Sequence, residues 1–362
     1  MNVTTPNVDT IIQGDCLEEM KKLPANSINL IYTDPPYFKV KDEPWDNQWE
    51  NPAKFIDWIG ELCQEWQRIL KPNGSLYVFA SPKMAARVEC KVGEYFNIVN
   101  RITWRKPPFS TKAEMFRKED CRGFFPASEA LIFAEHFGSD NIAKGEAGYG
   151  AKCDELRGFL FEPLRSWFKN KIDENGLNHK LINQAIGSCT SGGGMASHYF
   201  GDTGQFSLPT ESMYKKLQKA YPLIFDREYD DLKREYDDLK REYENLRRPF
   251  QVTSEVPYTD VWDFPTVGYY EGKHPCEKPI EMSRHVIAAS SRPGDVVLDC
   301  FGGSCHVADA CIQLNRRYII IEQNAEYCRQ ARKRVSMIQP EAAQKRVAAV
   351  PARLDRWAEA GI

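Results

Sequence analysis

Apolar positions along this chain change their spacing in blocks. From Val8 to His136, short apolar runs alternate with stretches in which apolar residues recur every three or four positions. "VDTIIQGD" reads as a strand ending in a turn, "CLEEMKKL" as a short helix and "INLIYTD" as a buried strand. "PAKFIDWIGELCQEWQRIL" is an amphipathic helix closed by "KPNG", and "SLYVFAS" is the strand after it. "FNIVNRITWRK" and "EALIFAEH" add two more strands. This rhythm predicts an α/β fold with a doubly wound, mostly parallel sheet of Rossmann-like type.

From about Ser139 to Glu255 the rhythm stops. This stretch holds the glycine-rich "SCTSGGGMASHYFG" and then a heptad repeat, "REYDDLKREYDDLKREYENLR", from Arg227 to Arg247. Tyr229, Leu232, Tyr236, Leu239, Tyr243 and Leu246 alternate at spacings of three and four. They form one narrow seam on a helix of about 32 Å. Asp230–Arg234 and Asp237–Arg241 are spaced for i,i+4 ion pairs. The favoured reading is a solvated helical arm; a weak homodimer seam or a DNA clamp is the alternative. After "RRPF" the α/β pattern returns with "DVVLDCFGGS", "CHVADACIQL" and "RRYIIIEQNAEYCRQARKRV". Residues 1–138 and 256–340 are therefore expected to be two halves of one α/β domain. Residues 139–255, with an arm at 226–248, are an insertion, and 341–362 form a tail.

Composition narrows the class. A chain of 362 residues with 42% hydrophobic content can bury a sizeable core. The start "MNVTTPNVDT" lacks the pattern of a secretory signal, and no apolar run is long enough to span a bilayer. The eleven cysteines are scattered without a C-x-x-C pair, which points to reduced thiols in a cytoplasmic protein and to no zinc site. Net charge is only −3, so any nucleic-acid surface has to be a local patch.

Three segments carry candidate chemistry. In "TDPPYFK" the buried strand ends at Asp34, and Pro35 and Pro36 freeze the chain's direction as it leaves the sheet. In "VVLDCFGGS", Asp299, Phe301 and Gly303 precede a helix, a turn that lets the backbone approach a bound cofactor. Glu322 closes the next strand about twenty residues on, the spacing at which an acid takes the hydroxyls of a ribose. A dinucleotide G-x-G-x-x-G is absent. In "GKHPCEKPIEM", Lys278 stands before Pro279 at the mouth of a helix, where it is either an ordinary helix start or a partner for a cofactor carboxylate.

Together these pieces resemble the β group of S-adenosylmethionine-dependent amino-methyltransferases acting on DNA, over roughly residues 10–135 and 256–335. In that group the D/S/N-P-P-Y/F catalytic motif comes early, target recognition follows and the cofactor motif comes late, a circularly permuted order. The resemblance implies that Asp34, Pro35, Pro36 and Tyr37 are catalytic, and that Asp15 receives the cofactor's adenine amine. It matches His274 to Pro279 to the family's "HPTEKP", Asp299, Phe301 and Gly303 to the cofactor loop, and Glu322 to the ribose acid. The implied cofactor is S-adenosylmethionine, the partner is DNA, and no metal is needed. Cys305 and His306 depart from the family's glycine and threonine; a Cβ at position 305 fits a helix geometry but not a positive φ. His306 reads as a helix-start residue in preference to a base.

The implied chemistry explains the two prolines. A base's exocyclic amine is a poor nucleophile, because its lone pair is delocalised into the ring. Asp34 and a fixed Pro35 carbonyl can accept its two hydrogens and localise that pair, while Tyr37 stacks on the flipped base. An acid at the first motif position favours adenine N6 over cytosine N4 and argues against protein or RNA targets. Arg101, Arg105, Lys106, Lys112, Arg117 and Lys118, interleaved with aromatics, read either as a DNA channel or as a solvated loop. The expectation is a DNA adenine-N6 methyltransferase. The alternatives are a cytosine-N4 enzyme and a DNA-binding protein with a decayed cofactor site.

Overall fold

The computed structural model describes residues 6–106, 122–124, 126–136, 157–188, 194–200, 206–252, 259–271 and 273–348. In chain order the first elements are β1 (Thr10–Gln13), α1 (Cys16–Lys21), β2 (Ile28–Thr33), α2 (Pro52–Ile69), β3 (Leu70–Ala80), α3 (Ala85–Gly93), β4 (Asn97–Arg105) and β5 (Ser128–Glu135). Five helices follow: α4 (Glu162–Glu174), α5 (His179–Ile186), α6 (Gly194–Phe200), α7 (Glu211–Ala220) and α8 (Tyr229–Leu246). The chain then adds β6 (Val261–Trp262), α9 (Ile280–Ser290), β7 (Val296–Asp299), α10 (His306–Gln313), β8 (Arg317–Glu322) and α11 (Ala325–Ala348). Two compact units result, Met1–Lys144 with Arg248–Ile362, and Gly145–Arg247.

In the first unit the strands form one eight-stranded sheet, ordered β1-β8-β7-β2-β3-β5-β4-β6. β1, β8, β7, β2 and β3 run parallel to one another, whereas β5 is antiparallel to both β3 and β4. Every residue of β2 is buried, as a central parallel strand covered on both faces requires. Alternation along β3 sorts the two layers. Leu76 and Val78 pack with α2 and α3, while Tyr77 and Phe79 pack with α9 and α10. The sheet is doubly wound, as the spacing predicts.

Some local readings need correction. "KPNG" does not close α2 as a loop; it forms the irregular first residues of β3, where pairing with β2 shifts register between Ile28 and Leu30. α3 and β6 were not anticipated. α3 is short, and β6 has only two residues, too few to show a period.

The second unit is helical around its own core of Leu164, Phe168, Ile182, Tyr214, Leu217 and Phe225. α8 is the heptad helix, and it is no solvated arm. Leu232 and Tyr243 are buried in that core, and Tyr229, Tyr236 and Leu239 pack against it. Most of the seam is thus covered inside its own unit, and Leu246 near its end stays exposed. The expected i,i+4 pairs are also replaced: Arg234 meets Asp231 at 3.3 Å and Arg241 meets Asp238 at 3.0 Å. Lys233 reaches Asp237 instead.

Candidate active site

β2 and β7 are neighbours, with Leu30 opposite Val297 and Ile31 opposite Leu298. The loops leaving their carboxyl ends, far apart in sequence, therefore meet. Thr33 ties them together. Its hydroxyl donates to Asp299 Oδ1 at 3.1 Å and accepts the Cys300 N–H at 3.1 Å. Asp299 also accepts the Phe301 N–H at 3.1 Å, and burial pushes its carboxyl up to about 7. This is the crevice beyond the strand ends where open α/β sheets bind ligands.

The loop after β7 is shaped for close approach. A Cβ on Gly302 would stand 2.3 Å from Ile320 Cγ2, so only glycine fits. Gly303 takes φ +43, and its N–H donates to Glu322 Oε2 at 2.8 Å. The other Glu322 oxygen accepts the Asn324 N–H at 2.7 Å, which fixes the carboxylate at the end of β8. Phe301 is partly buried, edge-on to Trp58 at 5.8 Å. Asp15 caps α1, accepting the N–H groups of Leu17 and Glu18 at 3.0 and 3.1 Å. β1 pairs with β8 through Gln13 and Glu322, which brings the ends carrying Asp15 and Glu322 side by side.

The two departures from the family pattern have structural answers. Cys305 does adopt a positive φ, +63, a strain of about 1–2 kcal/mol for a residue with a Cβ. Its side chain is buried among Tyr32, Val307 and their neighbours in the core. His306 opens α10, edge-on to Tyr32, with neither ring nitrogen bonded among the described residues. Burial lowers it to about 3, so the ring is neutral.

Asp34 follows β2 and is partly buried, its Oδ1 fully so. Its Oδ2 is 2.5 Å from the Lys278 ammonium, and its Oδ1 has no hydrogen-bond donor among the described residues. Burial raises the Asp34 carboxyl, and Lys278 opposes that rise. Lys278 thus meets Asp34 in this structure, and it also stands 3.3 Å from Glu129 Oε2. The Tyr37 hydroxyl donates to the same Glu129 oxygen at 2.8 Å, and Lys106 pairs with Oε1. Burial works to raise Glu129, but Lys278 and Lys106 outweigh it and hold the carboxyl down at about 2. Sequence reasoning missed Glu129, because it opens an apolar strand and belongs to no motif.

Asp46, fully buried, was missed as well. Its carboxylate accepts the N–H groups of Tyr37 and Val40 at 2.6 Å and of Lys41 at 2.7 Å. Between them Phe38 and Lys39 are left-handed, at φ +64 and +58. One acid therefore holds a strained loop directly behind the proline pair. Asp46→Ala leaves three donors without it and should cost about 1–3 kcal/mol in thermal unfolding, with a parallel fall in turnover that Asp46→Asn partly restores. Unchanged melting and turnover in the alanine variant would show that the loop holds itself.

The basic segment is only partly described: Lys112, Arg117 and Lys118 lie outside the described residues. The exposed Arg101 meets the partly buried Glu89 at 3.1 Å, and Arg105 grips Asp263 with two bonds of 2.6 Å between exposed side chains. Lys106 turns inward to Glu129. None of these three is a free cation, which a sequence cannot show.

A doubly wound sheet with a proline-locked acid and a glycine loop at adjoining strand ends is the Rossmann-like methyltransferase architecture. The model of the N6/N4 DNA methylase family matches residues 28–333, and the chain belongs to that family. It is 27% identical over 333 residues to the DNA adenine methyltransferase YhdJ of Escherichia coli (strain K12), covering 91% of this chain and 83% of that protein. It is 24% identical over 348 residues to the type II methyltransferase M2.MboI of Moraxella bovis, covering 91% and 88%. Among solved structures, the cytosine-N4-specific PvuII DNA methyltransferase aligns with a TM-score of 0.50 at 14% identity over 94% of each chain, a likeness of fold. No described helix is long and apolar enough to cross a membrane.

Proposed function

We propose that this chain methylates the N6 amine of adenine in DNA, with S-adenosylmethionine as cofactor. The observation that carries this reading is Asp34: a partly buried carboxylate with one oxygen unbonded, directly after β2, tied through Thr33 to the glycine loop. The named activity of YhdJ supports adenine as the base.

The residues fit the cofactor. At the cradle Gly302 admits no Cβ and Gly303 takes a positive φ, and Glu322 and Asp15 lie at adjoining strand ends to hold ribose and adenine. When bound, S-adenosylmethionine supplies an electrophilic methyl group. Asp34 Oδ1 and the Pro35 carbonyl accept the two amine hydrogens and turn the nitrogen's lone pair toward that methyl. The prolines and Asp46 hold these acceptors in place before the base arrives, so positioning and fixed dipoles supply most of the rate. Tyr37 stacks on the flipped base, its hydroxyl anchored to Glu129.

DNA phosphates exchange with the carboxylates that hold Arg101 and Arg105, Glu89 and the exposed Asp263, and residues 139–255 serve target recognition. The double variant Arg101→Ala/Arg105→Ala should weaken DNA binding on every sequence and lower the salt slope by about two. An unchanged slope would place the phosphate contacts elsewhere. The function itself is tested with duplexes in which hypoxanthine replaces adenine. Labelled methyl should enter ordinary DNA and not these duplexes; equal labelling of both would remove adenine N6 as the acceptor.

A further inference from the structure

Glu129, at the start of β5, belongs to none of the family motifs, yet its carboxylate joins three functional side chains. Oε2 takes the Tyr37 hydroxyl at 2.8 Å and stands 3.3 Å from Lys278, while Oε1 takes Lys106. The Lys278 ammonium, only 3% exposed, sits 2.5 Å from Asp34 Oδ2. It also lies over the rings of Phe79 and Tyr37, at 4.7 and 5.1 Å. One buried cation is thus shared by two carboxylates, and its shorter contact is to the proposed amine acceptor.

The geometry points to Glu129 as a positioning residue that draws the Lys278 ammonium off Asp34 as the target amine becomes cationic. This rests on the methyl-transfer reading above. Before the base enters, the desolvated Asp34 needs a cation nearby, or it would take up a proton and lose its use as an acceptor. During transfer the need reverses. When the cofactor is bound, the amine nitrogen would bond to the methyl carbon with its lone pair as that carbon's bond to the sulfonium sulfur breaks, the electron pair staying on sulfur. The nitrogen then carries positive charge until its proton passes to Asp34 Oδ1 and on to water. A full ammonium on Asp34 Oδ2 would then neutralise the carboxylate and repel the nascent cation in a low-dielectric site. Glu129 offers the ammonium a second seat within a small shift. Tyr37 connects this seat to the base, because the ring that stacks on the base is bonded through its hydroxyl to Glu129.

Other titratable groups face the pair. Tyr32 on β2 and Cys276 before α9 are held protonated by burial. His274 and His306 are lowered by burial to about 4 and about 3 and stay neutral. Asp299, raised by burial to about 7, also feels the charge of Asp34, so its own titration is followed beside that of Asp34 in each variant. Lys106 stays on Glu129 and partly offsets its charge.

The test compares wild type, Glu129→Gln, Glu129→Asp and Lys278→Met in single-turnover methyl transfer across pH, with cofactor affinity measured separately. Glu129→Gln should lose about tenfold or more in rate, less than direct loss of an acceptor, with cofactor affinity close to wild type. Its acid limb should move to lower pH, because Asp34 loses a like-charged neighbour. Lys278→Met should move that limb to higher pH, because Asp34 loses its cation, and Glu129→Asp should recover part of the rate. A wild-type rate in Glu129→Gln would overturn the proposal, as would a lower rate with the limb unmoved, the signature of a merely structural glutamate. Should Glu129→Gln not fold, the Lys278→Met limb and the Glu129→Asp rate decide it. The Asp34 carboxyl carbon, followed by NMR titration, reads the same shifts without activity. No labelling of DNA by wild type would defeat the proposed function, whereas an unmoved Asp34 titration would defeat the role of Glu129.

Discussion

Asp34→Ala is expected to cut methyl transfer by at least ~10²-fold, the scale of one preorganised polar group, with cofactor binding nearly intact. The variant removes the proposed acceptor, whose Oδ1 is open, and leaves the glycine loop untouched, since Gly303 and Glu322 bond to each other. The buried Lys278 ammonium keeps Glu129 as a partner at 3.3 Å, so no isolated charge is left behind to unfold the site. Single-turnover rates, cofactor calorimetry and circular dichroism together check this. Turnover near wild type would remove "DPPY" as the catalytic loop, and a lost fold would show that Asp34 is first a structural anchor.

The heptad helix supplies the second large effect. Leu232 is fully buried in the helical unit, while Leu246 on the same seam is 40% exposed. Leu232→Ala should therefore destabilise that unit by about 2–5 kcal/mol. Leu246→Ala should stay within about 0.5 kcal/mol. Cofactor binding should survive both, because the glycine loop, Asp15 and Glu322 belong to the other unit. Thermal unfolding followed at the helical signal measures the contrast. Equal, small effects from the two substitutions would mean that the seam faces outward after all, as a free arm or a dimer contact would have it.

These cases show what a sequence carries. The sheet was legible because β2, β3, β7 and β8 are apolar runs bounded by turn residues, and because the proline pair and the glycine loop act through local backbone rules. Strand order could be expected only as a class; the adjacency of β2 and β7 is a long-range pairing. The fate of the heptad seam was not legible, since periodicity shows that a stripe will be covered but not by what. Glu129 and Asp46 escaped for a related reason. Each gains its role from partners that folding brings to it, Lys278 for the first and the backbone of Tyr37, Val40 and Lys41 for the second. The positive φ of Cys305 ran against a rule that holds for isolated residues, and here the strain is held by a side chain packed in the core.

The central claim is that Asp34 activates the N6 amine of adenine in DNA. The most direct measurement digests DNA to nucleosides after incubation with the protein and methyl-labelled S-adenosylmethionine, beside an Asp34→Ala control. The account predicts label in N6-methyladenine for the wild type and at least ~10²-fold less in the control. Label in N4-methylcytosine would contradict the base assignment while sparing the mechanism, and label that persists in the control would contradict the mechanism itself.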